Sequence, residues 1–437
     1  MTKTVEKTDA LDLERKFSKI KPLLKSYEAS VEASRCLFCY DAPCINACPT
    51  SIDIPMFIRQ IMSRNVEGSA KTIFTQNILG KSCGQVCPTE VLCEGACVYN
   101  AMNEKPIEIG RLQAFATDYA IKKNIRFFSK GKKTDKKIAV IGGGPGGLAC
   151  AHELTRLGHE VTVFESAPNA GGLNTYGVAP YKYSNKESQE EINYISQIGF
   201  EIKTNHKIDS KSLSELEKKY DAIFLSIGLG KSNKLNIPGE NLKGVYGASE
   251  FIHELREKEQ KITVGKNIIV IGAGNTAIDA TVETSKLGAN VTVVYRRTEK
   301  EQRAYYFEVD LAKVHSARFM YLTTPIEILG KEKVEGLKCI KNNLKFEPIK
   351  GSEFVIPCDM IISAVGQEKM VDFYKNISGL KIDSGKVIVN KDFQTSNLKY
   401  FAGGDCVNGG KEVVNAVSHG RDAARGIDRF LMEKVSS

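Results

Sequence analysis

The chain has 437 residues, of which 42% are apolar, and its formal net charge at pH 7 is +9. This length suffices for two or three domains with buried cores, and the composition excludes an intrinsically disordered protein. Basic residues alternate with acidic ones along the chain, which is typical of a solvated surface and argues against a nucleic-acid or membrane partner.

The amino-terminal region is distinguished by its cysteines. The opening decapeptide MTKTVEKTDA is polar, and no stretch of the sequence is apolar for long enough to span a bilayer. We therefore expect a cytoplasmic protein. Eight of the twelve cysteines precede residue 100, and in a reducing compartment clustered thiols bind metal or do redox work more often than they form disulfides.

The spacing of these cysteines favours iron–sulfur clusters. The first run, from Cys36 to Pro49, reads Cys-x2-Cys-x4-Cys-x3-Cys-Pro and is close to the bacterial ferredoxin pattern. The second, from Cys83 to Cys97, reads Cys-x3-Cys-Pro-x4-Cys-x3-Cys. Zinc ribbons use paired two-residue spacings, so zinc is the weaker alternative. By counting alone, eight cysteines supply four ligands to each of two [4Fe–4S] clusters.

Two local patterns predict structure around these runs. IPMFIRQIM predicts a helix that Asp53 caps and that has Pro55 in its first turn. The polar segment Ser129–Lys137 predicts an exposed connection.

Beyond that connection, apolar strand runs alternate with amphipathic helices, as in parallel sheets covered by helices. The segment from Lys136 to Glu165 reads strand, glycine turn, helix, strand. Its glycines Gly142, Gly144 and Gly147 form a GxGxxG turn, which lets a pyrophosphate approach the backbone at a helix start. Glu165 ends the second strand, where a carboxylate can accept hydrogen bonds from ribose hydroxyls. We interpret this unit as an FAD site.

A second unit of the same kind runs from Lys266 to Arg297. Its turn has Gly272, Gly274 and Asn275, with alanine at the third glycine position. The second strand ends in Arg296 and Arg297 instead of an acid, and a guanidinium pair holds a 2′-phosphate well. This unit therefore predicts a site for NADP(H) in preference to NAD(H).

The segment Lys399–Ala424 resembles the second FAD signature of flavoproteins with two dinucleotide-binding domains, in which the acid at the place of Asp405 contacts the ribityl chain. The segments Phe224–Gly230 and Ser363–Gln367 resemble their crossover connections. The fold predicted is α/β, with two Rossmann-like dinucleotide-binding domains, the NADP domain inserted in the FAD domain, preceded by an α-helical iron–sulfur domain. The predicted limits are 1–130 for the helical domain with two [4Fe–4S] clusters, 131–260 and 359–437 for the two parts of the FAD domain, and 261–358 for the NAD(P) domain. Neither glycine turn has the CxxC or CxxxxC of disulfide reductases beside it, so Cys150, Cys339, Cys358 and Cys406 are expected to pack as small apolar residues.

The motifs DAPC, CPT, DIP, LCEGAC and PIEIGRLQ give the whole chain a close resemblance to the amino-terminal half of dihydropyrimidine dehydrogenase and to the flavoprotein subunit of its two-subunit bacterial relatives. The small subunit of glutamate synthase is similar at a greater distance. The resemblance implies one cluster on Cys36, Cys39, Cys44 and Cys97, and the other on Cys48, Cys87, Cys93 and Gln113. Cys83 is then spare, whereas counting alone would make it a ligand.

Further cofactor-binding residues are expected in both dinucleotide domains. For the flavin these are Gly172, Leu173, Lys182, Gly404, Asp405 and Val414. For the nicotinamide cofactor they are Thr276, Ala364, Gly366 and Arg303, the last implied by the resemblance as a third basic group near the 2′-phosphate. Two departures from the family stand out: lysine replaces the usual arginine at Lys182, and QRAYYFEVD replaces a Met-Pro-Ala continuation.

Together these features predict an oxidoreductase that passes electrons from NAD(P)H through FAD and two [4Fe–4S] clusters, with no catalytic acid or base. Dihydropyrimidine dehydrogenase continues into an FMN-bearing barrel that reduces uracil or thymine, for which 437 residues leave no room. We therefore expect an FMN-containing partner in a hetero-oligomer. The alternatives are a glutamate synthase small subunit, a free-standing NAD(P)H:acceptor oxidoreductase, and a non-enzymatic scaffold with zinc-bound thiols.

Overall fold

The computed structural model describes residues 15–433, which divide into two compact units. The larger unit holds residues 19–175, 182–229 and 369–433 of this range, and the smaller holds 15–18, 176–181 and 230–368. The smaller unit thus interrupts the sequence of the larger one. No helix within residues 15–433 is both long and apolar enough to cross a membrane.

The larger unit begins with a helical part. Its helices are α1 Ser26–Ser34, α2 Pro43–Asn46, α3 Ile54–Met62, α4 Val66–Gln76, α5 Gly80–Val86 and α6 Ile109–Lys122. Short 3₁₀ turns follow at Thr89–Val91 and Val98–Met102. The predicted cap of α3 is confirmed, because Asp53 Oδ1 accepts the Met56 N–H at 3.0 Å and Pro55 lies in the first turn.

The rest of the larger unit is built on a parallel five-stranded sheet of order β15-β4-β1-β2-β3. Its strands are β1 Lys137–Ile141, β2 Glu160–Phe164, β3 Glu201–Lys203, β4 Ala222–Leu225 and β15 Tyr400–Ala402. Its helices are α7 Pro145–Arg156, α8 Leu173–Tyr176, α9 Asn185–Ser196, α10 Ser210–Lys219, α14 Val371–Tyr374, α15 Asp405–Asn408 and α16 Val413–Glu433, with a small hairpin of β13 Ile382–Asp383 and β14 Lys386–Val387. β1 is almost entirely buried, as an apolar strand with helices on both faces should be.

The helical part and this sheet share one core, so they form a single compact unit. Phe74 of α4 lies in the same apolar cluster as Ala149 of α7 and Val417 of α16. The carboxylate of Glu191, on α9, also accepts the N–H groups of Lys81 and Ser82 at the start of α5, at 2.9 and 3.1 Å. Apolar burial and hydrogen bonds to an otherwise unpaired helix end therefore join the two parts.

The smaller unit has a second parallel sheet of order β5-β12-β6-β7-β8 and an antiparallel sheet of order β11-β10-β9. The strands are β5 Val245–Gly247, β6 Asn267–Ile271, β7 Asn290–Val294, β8 Arg318–Met320, β9 Thr323–Leu329, β10 Gly336–Lys341, β11 Phe354–Pro357 and β12 Met360–Ser363. The helices are α11 Ala248–Glu257, α12 Asn275–Lys286 and α13 Tyr306–Val314, with a 3₁₀ turn at Glu299–Glu301.

The long segment of the smaller unit starts at Gly230, whereas the sequence predicted an NAD(P) domain from residue 261. The reason is that β5 pairs with β12 as an edge strand and α11 packs Phe251 and Ile252 into the core under this sheet. A strand of three residues has too short an apolar pattern to be recognised, so the sequence did not predict that β5 belongs to the sheet of the smaller unit.

Candidate functional site

The first glycine turn joins β1 to α7 through close backbone contacts. Gly142 has a φ of +103°, and a Cβ at this position would lie 2.3 Å from the Ser226 carbonyl oxygen. A Cβ on Gly147 would lie 1.9 Å from the Gly142 carbonyl oxygen. At Gly144 the nearest heavy atom to such a Cβ is Cα of Gly172, at 3.8 Å. The turn is therefore tight at both ends and open in the middle, which is the shape that a dinucleotide pyrophosphate requires.

The carboxylate of Glu165, directly after β2, lies against this turn. Its Oε2 accepts the Gly143 N–H at 2.8 Å, and its Oε1 accepts the Ala167 N–H at 2.8 Å. Only 8% of the residue is exposed. These bonds fix the carboxylate and leave lone pairs for the ribose hydroxyls of a nucleotide.

A second glycine pair lies beside the first turn. The Gly171 N–H donates to the Gly143 carbonyl at 2.7 Å. Gly172 has a φ of +51°, and a Cβ there would lie 2.9 Å from Cα of Gly144. Leu173, which begins α8, is exposed, and Lys182 is half-buried. Gly172 and the first turn are thus brought together, while contacts of Leu173 and Lys182 with a flavin stay predictions.

The carboxyl-terminal signature lies where β15 ends. Gly404 has a φ of +76°, and its N–H donates to Nδ1 of His419 at 3.2 Å. Asp405 begins α15, and its Oδ1 accepts the Lys411 N–H at 3.3 Å. Burial raises the pKa of the Asp405 carboxyl above its usual range. Val414 is buried in the first turn of α16.

Helix α16 brings this signature against the first turn. A Cβ on Gly420 would lie 2.0 Å from the Gly146 carbonyl oxygen, so α16 and α7 are in backbone contact. A Cβ on Gly146 would in turn lie 3.1 Å from the Ala416 carbonyl oxygen and 2.7 Å from Oγ of Ser226. Two segments far apart in sequence therefore pack closely against each other beside the first glycine turn.

The second glycine turn repeats these relations in the smaller unit. Gly272 has a φ of +130°, and a Cβ there would lie 2.4 Å from the Ala364 carbonyl oxygen. This close approach corresponds to that between Gly142 and the Ser226 carbonyl oxygen in the first turn. A Cβ on Gly274 would meet nothing within 4 Å. Ala277, at the third position, is fully buried. This turn therefore also leaves room for a pyrophosphate at the start of α12.

The predicted basic groups lie close to this second turn. Arg296 is exposed after β7, and its carbonyl accepts from Nδ2 of Asn342 at 2.8 Å. The guanidinium carbon of Arg297 lies 5.6 Å from the ring centroid of Phe346. The Arg303 N–H donates to the Ala273 carbonyl within the glycine turn at 2.9 Å. Within residues 15–433 no carboxylate forms an ion pair with any of these three arginines, so their charge is available to an anion.

Other predicted residues of this site have structural contacts. The side chain of Asn275 accepts the Tyr305 N–H through Oδ1 at 3.1 Å, which holds the QRAYYFEVD segment beside the turn. Ala364 donates its N–H to Ile271 at 2.8 Å, and Gly366 has a φ of +102°. Thr276 lies in the first turn of α12. Their contacts with a nicotinamide cofactor stay predictions.

The cysteines line two separate cavities in the larger unit. The first cavity has walls from α2, α3 and the Val98–Met102 turn. Four thiols reach it, those of Cys36, Cys39, Cys44 and Cys97. This set is the one that the resemblance assigns to one cluster, and apolar side chains form the rest of the lining.

The second cavity lies between α5, α6 and the start of α16. The predicted ligands Cys48, Cys87, Cys93 and Gln113 all line it, and so does Cys83. The structure therefore brings together both sets of four predicted ligands. No three His, Cys, Asp or Glu side chains within residues 15–433 are close enough to hold a single metal ion. Cysteine thiolates are the usual ligands of [4Fe–4S] clusters.

Gln113 and Cys83 differ in how they face the second cavity. Nε2 of Gln113 donates to the Gly80 carbonyl at 2.8 Å, which fixes the amide group. Oε1 of Gln113 takes no part in this hydrogen bond. Cys83 is buried in the apolar core that joins α5 to α7. The Cys87 thiol donates a hydrogen bond to the neighbouring Cys83 sulfur, and this bond, which favours the protonated thiol, is the main reason that the pKa of Cys87 is raised well above its usual range.

Burial also raises the pKa of thiols in both cavities, to about 12 for Cys44 and well above the usual range for Cys93. Iron binds the thiolate, so cluster insertion must supply the positive charge that removes these protons. The four isolated cysteines are all buried, as expected: Cys150, Cys339, Cys358 and Cys406.

Two family models match the sequence. Residues 13–125 match dihydropyrimidine dehydrogenase domain II, 4Fe-4S cluster, and residues 136–420 match pyridine nucleotide-disulphide oxidoreductase. The protein is therefore an iron–sulfur flavoprotein of the NAD(P)H-dependent oxidoreductase class. More particularly, the chain belongs to the family that contains the NAD-dependent dihydropyrimidine dehydrogenase subunit PreT and the glutamate synthase small chain.

Individual relatives match along nearly their whole length. The NAD-dependent dihydropyrimidine dehydrogenase subunit PreT of Salmonella typhimurium is 35% identical over 408 residues, which cover 93% of this chain and 95% of that protein. The glutamate synthase [NADPH] small chain of Halomonas elongata is 32% identical over 453 residues, covering 98% of this chain and 96% of that protein. The predicted family is confirmed, and both of its branches are similar to this chain.

Solved structures share the fold at low sequence identity. FprA of Mycobacterium tuberculosis in complex with NADPH has a TM-score of 0.56 at 20% identity and covers 68% of this chain and 86% of its own. A 2-naphthoyl-CoA reductase complex has a TM-score of 0.56 at 19% identity and covers 88% of this chain and 49% of its own. The predicted α/β flavoprotein fold preceded by a helical iron–sulfur part is confirmed.

Sequence reasoning missed the residues that support these sites. Arg421 and His419 lie on α16 and reach the loops of the second cavity and of the flavin signature. Asn342 and Phe346, on the segment after β10, contact the arginine pair. No motif marks these four residues, since each acts on a loop far away in sequence. Thr50, in contrast, belongs to the CPT motif, and its position two residues after Cys48 could have indicated a contact with that sulfur.

Proposed function

We propose that this chain is the NADPH-oxidising subunit of a two-subunit enzyme and passes electrons through FAD and two [4Fe–4S] clusters to an FMN-containing partner that reduces uracil or thymine. The observation that carries this proposal is the pair of cysteine cavities, one of which opens on the helix of the flavin signature. The bound flavin would accept a hydride from the nicotinamide and give up its electrons singly to the clusters. The chain itself contributes orientation and electrostatics.

The ligand sets follow the two cavities. Cys36, Cys39, Cys44 and Cys97 would hold the first cluster, and Cys48, Cys87, Cys93 and Gln113 the second. We assign the eighth ligand to Gln113 because its Nε2 donates a hydrogen bond to the Gly80 carbonyl. This bond fixes the amide group, and Oε1 is then the atom that would bind iron. A neutral amide leaves the second cluster less negative than four thiolates would.

Two alanine variants distinguish the candidates for the eighth ligand. We expect Gln113→Ala to change the EPR spectrum of the reduced second cluster, and we expect Cys83→Ala to leave that spectrum as in the parent protein. The reverse pattern would assign the ligand to Cys83. Iron and sulfide content per chain serves as the control that both variants load their clusters.

The flavin site that we propose is FAD-specific because it has two nucleotide-binding features. The open side of Gly144 and the carboxylate of Glu165 suit the pyrophosphate and the adenosine ribose. Asp405 and the start of α16 suit the ribityl chain and the flavin ring. FMN lacks the adenosine that Glu165 would bind, so the released flavin is expected to be FAD by chromatography.

Val414 supports an order for the two clusters. This residue belongs to the flavin signature at the start of α16, and it also lines the second cavity. We therefore propose that the second cluster is the one next to the flavin. The first cavity is lined by residues of the helical part, and Leu37, which lines it, and Tyr40, on the same ligand loop, are exposed. We assign the exit of electrons toward the partner to this first cluster.

Preference for NADPH rests on three basic residues that form no ion pair with a carboxylate within residues 15–433, Arg296, Arg297 and Arg303. A guanidinium fork binds the 2′-phosphate that distinguishes NADPH from NADH. We expect a larger kcat/KM for NADPH than for NADH with an artificial acceptor. A larger value for NADH would refute this assignment and would agree with the name of the Salmonella relative.

The acceptor is tested by co-expressing the chain with the product of a neighbouring gene and purifying the pair. NADPH oxidation that starts when uracil is added supports the pyrimidine-reducing partner. The second candidate is glutamate synthesis, which the similarity to two glutamate synthase small chains favours. Oxidation that starts only with glutamine plus 2-oxoglutarate would move the protein to that function, and the cofactor assignments would be unaffected.

A further inference from the structure

Thr50 is a fully buried residue behind one of the proposed cluster ligands. It follows Cys48 and Pro49 in the wall of the second cavity, and it has no exposed surface. Its Oγ1 lies 3.3 Å from Sγ of Cys48. Within residues 15–433 this sulfur is the one hydrogen-bond partner of the Thr50 hydroxyl.

A tight turn places this hydroxyl at the sulfur. The Ser51 N–H donates to the Cys48 carbonyl at 2.8 Å, which closes a four-residue turn. Pro49 stands at the second position of the turn, where its ring fixes φ. The direction of the Thr50 side chain is therefore set by local backbone geometry.

Arg421 holds the same turn from α16. Its Nη1 donates to the Thr50 carbonyl at 2.8 Å and to the Gln76 carbonyl at 2.9 Å. Its Nε and Nη2 bind the carboxylate of Asp422 at 2.8 and 3.2 Å, so the guanidinium is fixed on both sides. Only 12% of this side chain is exposed. The helix that carries the flavin signature thus anchors the turn that carries Cys48.

We propose that Thr50 donates a hydrogen bond to Sγ of Cys48 and raises the reduction potential of the second cluster. A ligating Cys48 has lost its proton, so the hydroxyl is the donor. Reduction adds one electron to the cluster without making or breaking a covalent bond. The hydrogen bond stabilises the more negative, reduced form more than the oxidised form.

A second Cys-Pro-Thr sequence at the same cavity serves as a comparison for Thr50. Cys87, Pro88 and Thr89 repeat the Cys-Pro-Thr sequence, and Cys87 lines the same cavity. The Thr89 hydroxyl, however, is 3.3 Å from Nζ of Lys21 and 3.4 Å from Oε2 of Glu90, and it makes no hydrogen bond with the Cys87 sulfur. The tripeptide alone therefore does not create the bond, and Thr89→Val is a matched control for Thr50→Val.

The proposal rests on the proposed assignment of Cys48 as a ligand, and it is tested by anaerobic redox titration of the full-length protein with dithionite and mediators. The measured quantity is the ratio of reduced to oxidised second cluster, followed by EPR at a fixed ambient potential. For Thr50→Val we expect this ratio to fall roughly two- to tenfold, which is the loss of about one modest hydrogen bond from the reduced state. Thr50→Ser keeps a hydroxyl and is expected to stay close to the parent, and Thr89→Val is expected to move the ratio less than Thr50→Val.

The outcomes separate this proposal from the cluster assignment. A ratio in Thr50→Val equal to that of the parent, with both clusters present by iron and sulfide analysis, would overturn the proposal. Absence of the second cluster from both Thr50→Val and Thr50→Ala would also overturn it, because Thr50 would then be required for assembly. Full cluster content in Cys48→Ala would instead refute the ligand assignment. The potential of the first cluster is the internal reference in every titration.

Discussion

Replacing Gly274 by alanine tests whether the second glycine turn binds a nucleotide. A Cβ at this position would meet no heavy atom within 4 Å, and the residue is the N-cap of α12 with a φ of −99°. Alanine is thus compatible with the backbone and with its surroundings. Alanine caps a helix less well than glycine does, so we expect the free energy of unfolding to fall by no more than about 1 kcal/mol.

The same methyl group would stand where the backbone must approach a pyrophosphate. Displacing the phosphates from the start of α12 removes at least one charge-assisted hydrogen bond, which is worth roughly 1.5–3 kcal/mol. That loss corresponds to an increase in Kd of roughly ten- to 150-fold. The variant is therefore expected to lose nucleotide affinity while it keeps its fold.

The assay is isothermal titration of the oxidised protein with NADP⁺, paired with calorimetric unfolding. Gly288→Ala is the matched control, since Gly288 also has open space around it but has a φ of +97° beyond the end of α12. The control should be destabilised by about 1 kcal/mol through backbone strain, with unchanged Kd. If Gly274→Ala bound NADP⁺ with the same Kd as the parent protein, the prediction that this turn binds a nucleotide would be refuted.

Three further predictions address charge and burial. Arg297→Ala should lower the ratio of kcat/KM for NADPH to that for NADH by about tenfold, the effect of one lost phosphate contact, and an unchanged ratio in steady-state assays would contradict it. Burial lowers the pKa of His152 from 6.5 to about 3, so the unfolded chain binds a proton below pH 6.5 that the folded ring does not. Stability should therefore fall by about 1.4 kcal/mol for each pH unit below 6.5, and His152→Gln should lose less stability than the parent between pH 6.5 and 5 in denaturant titrations. Lys81 is buried and pairs with Asp118 at 2.9 Å, while Lys122 pairs with the other oxygen of Asp118 at 2.8 Å, so Lys81→Met should cost roughly 1–3 kcal/mol of unfolding free energy, and no measurable loss would show that the buried pair is dispensable.

The sequence predicted those parts of the molecule that depend on local spacing. Gly142 and Gly147 have close backbone neighbours that only glycine tolerates, and a GxGxxG pattern between a strand and a helix expresses that requirement directly. The cap at Asp53 was predictable for the same reason, because a cap involves residues within one turn. The two ligand sets came from resemblance, since spacing alone could not say that Cys97 joins the first cavity.

Features that depend on long-range packing were not predictable. Nothing in the pattern around Gly420 shows that it contacts Gly146, and this contact brings α16 to the first turn. No motif in the sequence marks Glu191, yet its buried carboxylate accepts hydrogen bonds from the start of α5. The early start of the smaller unit at Gly230 depends on a three-residue edge strand. In each case the partner lies far away in the chain, where periodicity carries no information.

The central claim is that electrons from NADPH reach the first cluster through the second. We would compare Cys44→Ser and Cys93→Ser with the parent protein, adding NADPH anaerobically and recording EPR spectra, with dithionite as the reductant that needs no internal route. Each variant is predicted to lose one cluster and to keep the other. In Cys93→Ser the remaining first cluster should be reduced by dithionite but not by NADPH, whereas in Cys44→Ser the second cluster should still be reduced by NADPH. Reduction of the first cluster by NADPH at the parental rate in Cys93→Ser would contradict the account.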